Sequence, residues 1–157
     1  MKIALTVDGT PRETVIDPGE CVMDVLRRLG KTSVKNGCDR GDCGSCAVLL
    51  NGRAVNACLV FAAQVDGAEI RTVEGLEDAG GLHPLQFTAL DGGAVQCGFC
   101  TPGMLMTALD LLTVAPDPTE AEVRRALAGS YCRCTGYVKP VAAILTAAAL
   151  MREGRRG

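Results

Sequence analysis

Two short cysteine motifs in the second half of the chain restrict its fold more than any other feature. The first reads Gln96-Cys-Gly-Phe-Cys-Thr-Pro-Gly103 and the second Ser130-Tyr-Cys-Arg-Cys-Thr-Gly-Tyr137. A C-x2-C pair and a C-x-C pair, each in a glycine-containing turn, put four thiols on two loops that the fold can gather at one point. Thiolate sulfur binds soft or borderline metals, and four such ligands suit zinc or an iron–sulfur cluster. Cys97, Cys100, Cys132 and Cys134 are therefore candidate metal ligands.

The whole chain sharpens that reading. Its 157 residues suit one domain or two small ones. The hydrophobic fraction is 48%, yet there are no tryptophans, three Phe and two Tyr, so any core must be aliphatic. Two small halves would each gain from a metal staple. A net charge of −2 offers no basic field for nucleic acid. No apolar run approaches the roughly 18 residues that span a bilayer. The N-terminus, Met1-Lys-Ile-Ala-Leu-Thr-Val-Asp-Gly9, interrupts its apolar residues with Thr6 and Asp8, unlike a secretion signal. A cytoplasmic location is the expectation. Nine cysteines, an odd number and tightly grouped, argue for metal ligation over a disulfide framework.

The first half carries strand signals. Ile3, Leu5 and Val7 alternate with polar or small residues, Asp8-Gly9 marks a tight turn, and Thr14-Val15-Ile16 is the expected returning strand. Val22, Leu26 and Leu29 fall on one helical face, and Gly30 is placed to end that helix. Cys21 lies on the same face as a small core filler, the odd cysteine out; its alternative is a redox-active surface thiol. Then comes Asn36-Gly-Cys-Asp-Arg-Gly-Asp-Cys-Gly-Ser-Cys46, followed by Cys58. C-x4-C-x2-C with a distant fourth cysteine is the plant-type pattern for a [2Fe–2S] cluster, which makes Cys38, Cys43, Cys46 and Cys58 a second ligand set. Zinc sites more often use two C-x2-C knuckles. Ala47-Val-Leu-Leu50, the hairpin signal Asn51-Gly52 and Ala54-Val55 would return Cys58 to the loop holding the other three. Leu59 to Ala63 suits a helical turn, and Glu69 to Val73 a closing strand.

Glu74 to Gly81 is polar and glycine-rich, so residues 75–81 are read as a linker between domains at 1–74 and 82–157. Beyond it strand signals give way to four helices, at about 82–91, 102–114, 119–128 and 138–152. Thr101-Pro102 reads as an N-cap and first helical residue, Thr119 with Glu122 as a capping box, and Pro140 fits a first turn. In an up-down-up-down bundle the loops with Cys97/Cys100 and Cys132/Cys134 share one end. All four thiols then converge on one site. His83 precedes Pro84 at a helix start and reads as a capping residue. Arg133 is either a counter-charge to a cluster or a solvent-facing side chain. Met151 to Gly157 reads as a frayed, solvated end.

Taken together, Gly37-Cys38-x4-Cys43-Gly-x-Cys46, Cys58, Gln96-Cys-Gly-Phe-Cys-Thr-Pro-Gly103 and Cys132-Arg-Cys-Thr-Gly-Tyr137 resemble the two-cluster iron–sulfur subunits of the molybdenum hydroxylases. That family includes xanthine dehydrogenase, aldehyde oxidoreductase and carbon monoxide dehydrogenase. The resemblance covers nearly the whole chain, with small departures: Ser130-Tyr131 stands where Asn-Leu is frequent, and Asp42 where Gln or Glu is common. It implies an α+β fold, a plant-ferredoxin-like β-grasp domain followed by an all-α four-helix-bundle domain, each holding one [2Fe–2S] cluster. The C-terminal cluster would be proximal to a molybdopterin cofactor on a large partner subunit, with Gln96 and Cys134 at the pterin edge. The N-terminal cluster would be distal and would feed FAD, commonly on a third, medium subunit.

The function implied is single-electron transfer within an oxidoreductase complex whose substrate is chosen by the partner's pocket. The chain has neither a G-x-G-x-x-G fingerprint nor an acid–base dyad, so no activity is expected of it alone. Two other classes compete: a free-standing ferredoxin-type carrier, for which the helical half is superfluous, and a zinc-stabilised interaction module.

Overall fold

The computed structural model describes residues 1–77 and 79–154. Five strands form one sheet in the order β2-β1-β5-β3-β4. β1 (Lys2–Val7) turns at Asp8-Gly9 into antiparallel β2 (Thr10–Val15). The returning strand thus starts earlier than the apolar residues alone suggest. It includes Pro11 at the sheet edge, where a missing N–H costs nothing. Ile3, Leu5 and Val7 point inward as their alternation requires, whereas Val15 faces solvent and Ile16, just past the strand, is buried.

α1 (Val22–Arg28) lays Val22, Met23, Val25 and Leu26 on the sheet and ends before Gly30, whose φ is 89°. β3 (Ala47–Leu50) and β4 (Arg53–Asn56) form the second hairpin, with φ positive at both Asn51 and Gly52 as a tight primed turn needs. The expected helical turn over Leu59–Ala63 resolves into two short 3₁₀ turns, Ala57–Leu59 and Ala62–Gln64. β5 (Glu69–Arg71) inserts between the hairpins, parallel to β1 and antiparallel to β3. It stops short of Val73 because Thr72 turns inward. The backbone N–H and hydroxyl of Thr72 both donate to the Asp8 carboxylate, at 2.7 and 2.9 Å.

The second half holds α2 (Pro84–Asp91), α3 (Thr101–Val114), α4 (Glu120–Ala126), a 3₁₀ turn at Leu127–Gly129, and α5 (Val138–Gly154). His83 caps α2 as expected, its ring accepting the Leu85 N–H while Gln86 returns to the His83 N–H. The Thr119–Glu122 capping box starts α4. The helix bounds shift by one or two residues from those expected, and at α3 the cap itself differs. Cys100, not Thr101, is the N-cap of α3, since its carbonyl already accepts the Met104 N–H at 3.1 Å. Of the chain end read as frayed, Met151 to Gly154 continue α5, and residues 155–157 lie outside the described residues.

Two apolar cores share a wall. Ile3, Leu5, Val25, Leu26, Val48 and Ile70 fill the space between sheet and α1. Leu85, Met106, Leu112, Val123 and Ile144 fill the helical half, joined by Ala47 and Leu49 from the opposite face of β3. β3 is therefore buried on both faces, which is why its sequence lacks alternation. Leu76, inside the stretch read as a linker, is also buried in the helical core. Among the described residues no helix is long and apolar enough to cross a membrane.

Candidate metal centres

The first thiol group is built by one loop and one hairpin. Cys38, Cys43 and Cys46 lie on the loop between α1 and β3, and Cys58 sits in the 3₁₀ turn directly after β4. The register Ala47↔Asn56 and the Ala57 N–H to Cys46 carbonyl bond at 3.3 Å bring Cys46 and Cys58 side by side. Burial, reinforced by the Cys46 thiol, pushes Cys58 up to about 11. Cys38 is brought down to about 7 by the Arg40 backbone N–H first, with help from Cys43 and Asp42. The Cys43 N–H donates to the Cys38 sulfur at 3.4 Å. Asn56 steadies the loop from beneath, its Nδ2 donating to the Gly41 carbonyl at 3.0 Å, while the Gly41 N–H faces the Cys58 sulfur.

The second group joins the end of α2 to the start of α3 and the loop before α5. Cys100 meets Cys132, and Cys97 meets Cys134, each pair in thiol–thiol contact. Burial, then the neighbouring Cys132, raises Cys100 to about 12. Burial also pushes Cys132 up, but the Thr135 hydroxyl, the N–H groups of Cys134 and Thr135, and the Cys100 thiol bring it to about 7. Cys134 is raised by its contact with Cys97. The convergence expected of helices joined at one end is therefore present.

These donors fit a two-iron cluster better than a single ion. The sulfurs meet as pairs: 38 with 43, 46 with 58, 97 with 134, and 100 with 132. A [2Fe–2S] cluster offers each iron two cysteine sulfurs, so two pairs facing each other match it. Among the described residues no three His, Cys, Asp or Glu side chains form a mononuclear site. Backbone N–H groups aimed at sulfur are the second feature such clusters use.

The two groups are neighbours. The Tyr131 N–H donates to the Cys43 carbonyl at 2.9 Å, joining the N-terminal loop to the residue before Cys132. Gly103, on the first turn of α3, lies so close to Gly44 that a Cβ there would collide with the Gly44 carbonyl oxygen. Phe99, between Cys97 and Cys100, packs toward Gly37.

Comparison with known proteins agrees with this geometry. A model of the 2Fe-2S iron-sulfur cluster binding domain matches residues 5–76, and one of the [2Fe-2S] binding domain matches residues 72–145. The nicotinate dehydrogenase small FeS subunit of Eubacterium barkeri is 47% identical over 143 residues, covering 90% of this chain and 91% of that protein. The xanthine dehydrogenase iron-sulfur-binding subunit of Escherichia coli O157:H7 is 44% identical, with 91% of each covered. The chain belongs to the iron–sulfur subunits of the molybdenum hydroxylases. In crystalline quinoline 2-oxidoreductase from Pseudomonas putida 86, a chain 42% identical superposes with a TM-score of 0.93, covering 98% of this chain and 97% of that one.

In this iron–sulfur subunit Gln96 and Cys97 are exposed, Cys134 is half-buried beside Cys97, and Arg133 is exposed between the C-x-C cysteines. Cys21 stands apart as expected, half-buried at the N-cap of α1, its thiol donating to Asp24 at 3.0 Å and raised by burial. Sequence reasoning missed the supporting residues. Asn56 under the first loop lies just past the expected strand Ala54-Val55, and Thr135 and Tyr137 appear only as letters of the C-x-C motif. A hydroxyl three residues after a candidate ligand thiol is the signal that Thr135 offers. Tyr137 leaves none, because its backbone adopts φ 67°, where a bulky residue is unexpected.

Proposed function

We propose that this chain is the electron-transfer subunit of a multi-subunit, molybdenum-dependent hydroxylase or dehydrogenase in the cytoplasm. In that reading residues 1–74 act as a plant-ferredoxin-like β-grasp domain and residues 82–157 as a four-helix domain. Cys97, Cys100, Cys132 and Cys134 hold the proximal [2Fe–2S] cluster; Cys38, Cys43, Cys46 and Cys58 hold the distal one. When bound, the two clusters supply one-electron carriers whose potentials the surrounding donors set.

The observation that carries this reading is the pairing of the thiols into two adjacent groups bridged by the Tyr131 N–H and the Cys43 carbonyl. Gln96 and Cys134, on the exposed side of the second group, face the molybdopterin of a large partner subunit. The Tyr131–Cys43 hydrogen bond gives a short connection inward to the first group, whose outer side serves FAD on a medium subunit. The chain's own residues bind and position; bond chemistry on the substrate belongs to the large partner, and the isolated chain is inactive.

Purification of the assembled complex tests this. About four irons and four sulfides per copy of this chain are expected. Cys97→Ser should remove one of two paramagnetic signals in the reduced protein and leave the other. Loss of both signals, or of neither, would contradict the assignment of ligands to separate sites. A chain that always purifies alone would instead indicate a free-standing carrier.

A further inference from the structure

The Cys132–Tyr137 loop closes on itself through three side-chain hydrogen bonds. The Thr135 hydroxyl lies 3.2 Å from the Cys132 sulfur. The Tyr137 N–H donates to that same hydroxyl oxygen at 3.2 Å. The Cys132 N–H donates to the Tyr137 phenolic oxygen at 2.8 Å. A hydroxyl has one hydrogen to give and two lone pairs to receive. With the Tyr137 N–H occupying a lone pair, the Thr135 hydrogen is left to point at Cys132. Gly136 and Tyr137 both take left-handed backbone in this loop, at φ 61° and 67°, and such strain at a non-glycine residue persists only where neighbours hold it.

The two thiol groups differ in this respect. Around the first, apart from the neighbouring thiols, the donors facing Cys38 and Cys58 are backbone N–H groups of Arg40, Asp42, Cys43 and Gly41, present whatever the side chains are. Around the second, a side-chain hydroxyl aims at one sulfur, so a single substitution can remove it.

We propose that the Thr135 hydroxyl sets the reduction potential of the proximal cluster by donating a hydrogen bond to the Cys132 sulfur. The inference rests on the function proposed above. Reduction adds one electron and leaves the cluster and its thiolates more negative; no bond is made or broken. A donor aimed at sulfur stabilises the reduced form more than the oxidised form, and hydrogen bonds to sulfur are a recognised lever on such potentials. Thr135 therefore makes the cluster at the pterin edge a better electron acceptor. Tyr137 is the positioning residue that orients the hydroxyl.

The test is a redox titration of the assembled complex, following the paramagnetic signals of the two clusters separately. Thr135→Val keeps the shape and removes the donor. It should weaken electron uptake by the proximal cluster roughly tenfold, a fall of about 59 mV for one electron. The distal potential should stay fixed, and Thr135→Ser should restore the native proximal value. If the valine variant does not assemble, Thr135→Ala against Thr135→Ser makes the same comparison. An unmoved proximal potential, an equal shift at both clusters, or a serine variant as low as valine would overturn the proposal. So would loss of the proximal signal in both Val and Ala variants, because the hydroxyl would then be needed only for assembly. Absence of both signals from the unmodified complex would remove the iron–sulfur reading itself, a different failure.

Discussion

Asp8 shows how much a single residue carries beyond its sequence signal. As the first half of Asp-Gly it announces a turn, and it occupies φ 49° accordingly. Its carboxylate, 7% exposed, also accepts two hydrogen bonds from Thr72 and pairs with Lys31 at 2.7 Å. Asp8→Ala would strand the buried Thr72 donors and should cost about 3 kcal/mol in chemical denaturation. The Asp8 hydrogen bond raises the Lys31 ammonium, against a smaller opposing effect of burial. A base held above its ordinary value stabilises the fold fully below that value, about 10.4, and loses the contribution as pH rises through the higher folded value. The stability gap between the native protein and Lys31→Met should therefore be flat through neutral pH and close only in strong alkali. The roles of His83 and Cys21 were legible because capping and packing are local. Those of Asp8, Thr135 and Tyr137 were not, because each depends on a partner that only the folded loop supplies.

Among the elements, β3 and α3 decide how the two cysteine groups meet. The apolar run Ala47–Leu50 announces a buried strand, and the packing of α3 on its second face explains why no residue alternates outward. Helix positions followed from caps and stripes to within two residues, and the second thiol group from the helix connectivity. What periodicity could not convey is the close approach of α3 to the first cysteine loop. Gly103→Ala places a methyl against the Gly44 carbonyl and the Ser45 Cα, both backbone atoms that yield little. The expected result is a loss of about 1–3 kcal/mol with reduced iron and sulfide at the distal site, measured by thermal melting and cofactor analysis. Native iron content and an unchanged melting temperature would show that the loop and helix are free to separate.

On the scale of the whole molecule, the cores are coupled rather than merely adjacent. Ala47, Leu49 and Leu76 belong to the helical core although they precede it in the chain. The loaded protein should thus melt in one cooperative transition; two resolved steps in calorimetry would refute the shared wall. Arg53, paired with Asp110 across the same junction at 2.8 Å, is 70% exposed, so Arg53→Ala should change stability by at most about 1 kcal/mol. Composition called for an aliphatic interior and the spacing singled out two groups of cysteines, but neither could say that the halves lean on one strand. That arrangement also bears on how the chain reaches its native state. The sheet is two hairpins fastened together by β5, the last of the five strands to be synthesised, with Ile70 set against Val7 on one side and Leu50 on the other. Joining residues so far apart along the chain is slow, because loop closure precedes any reward from contact. The hairpins can form early, while the seam between them must wait for a three-residue strand.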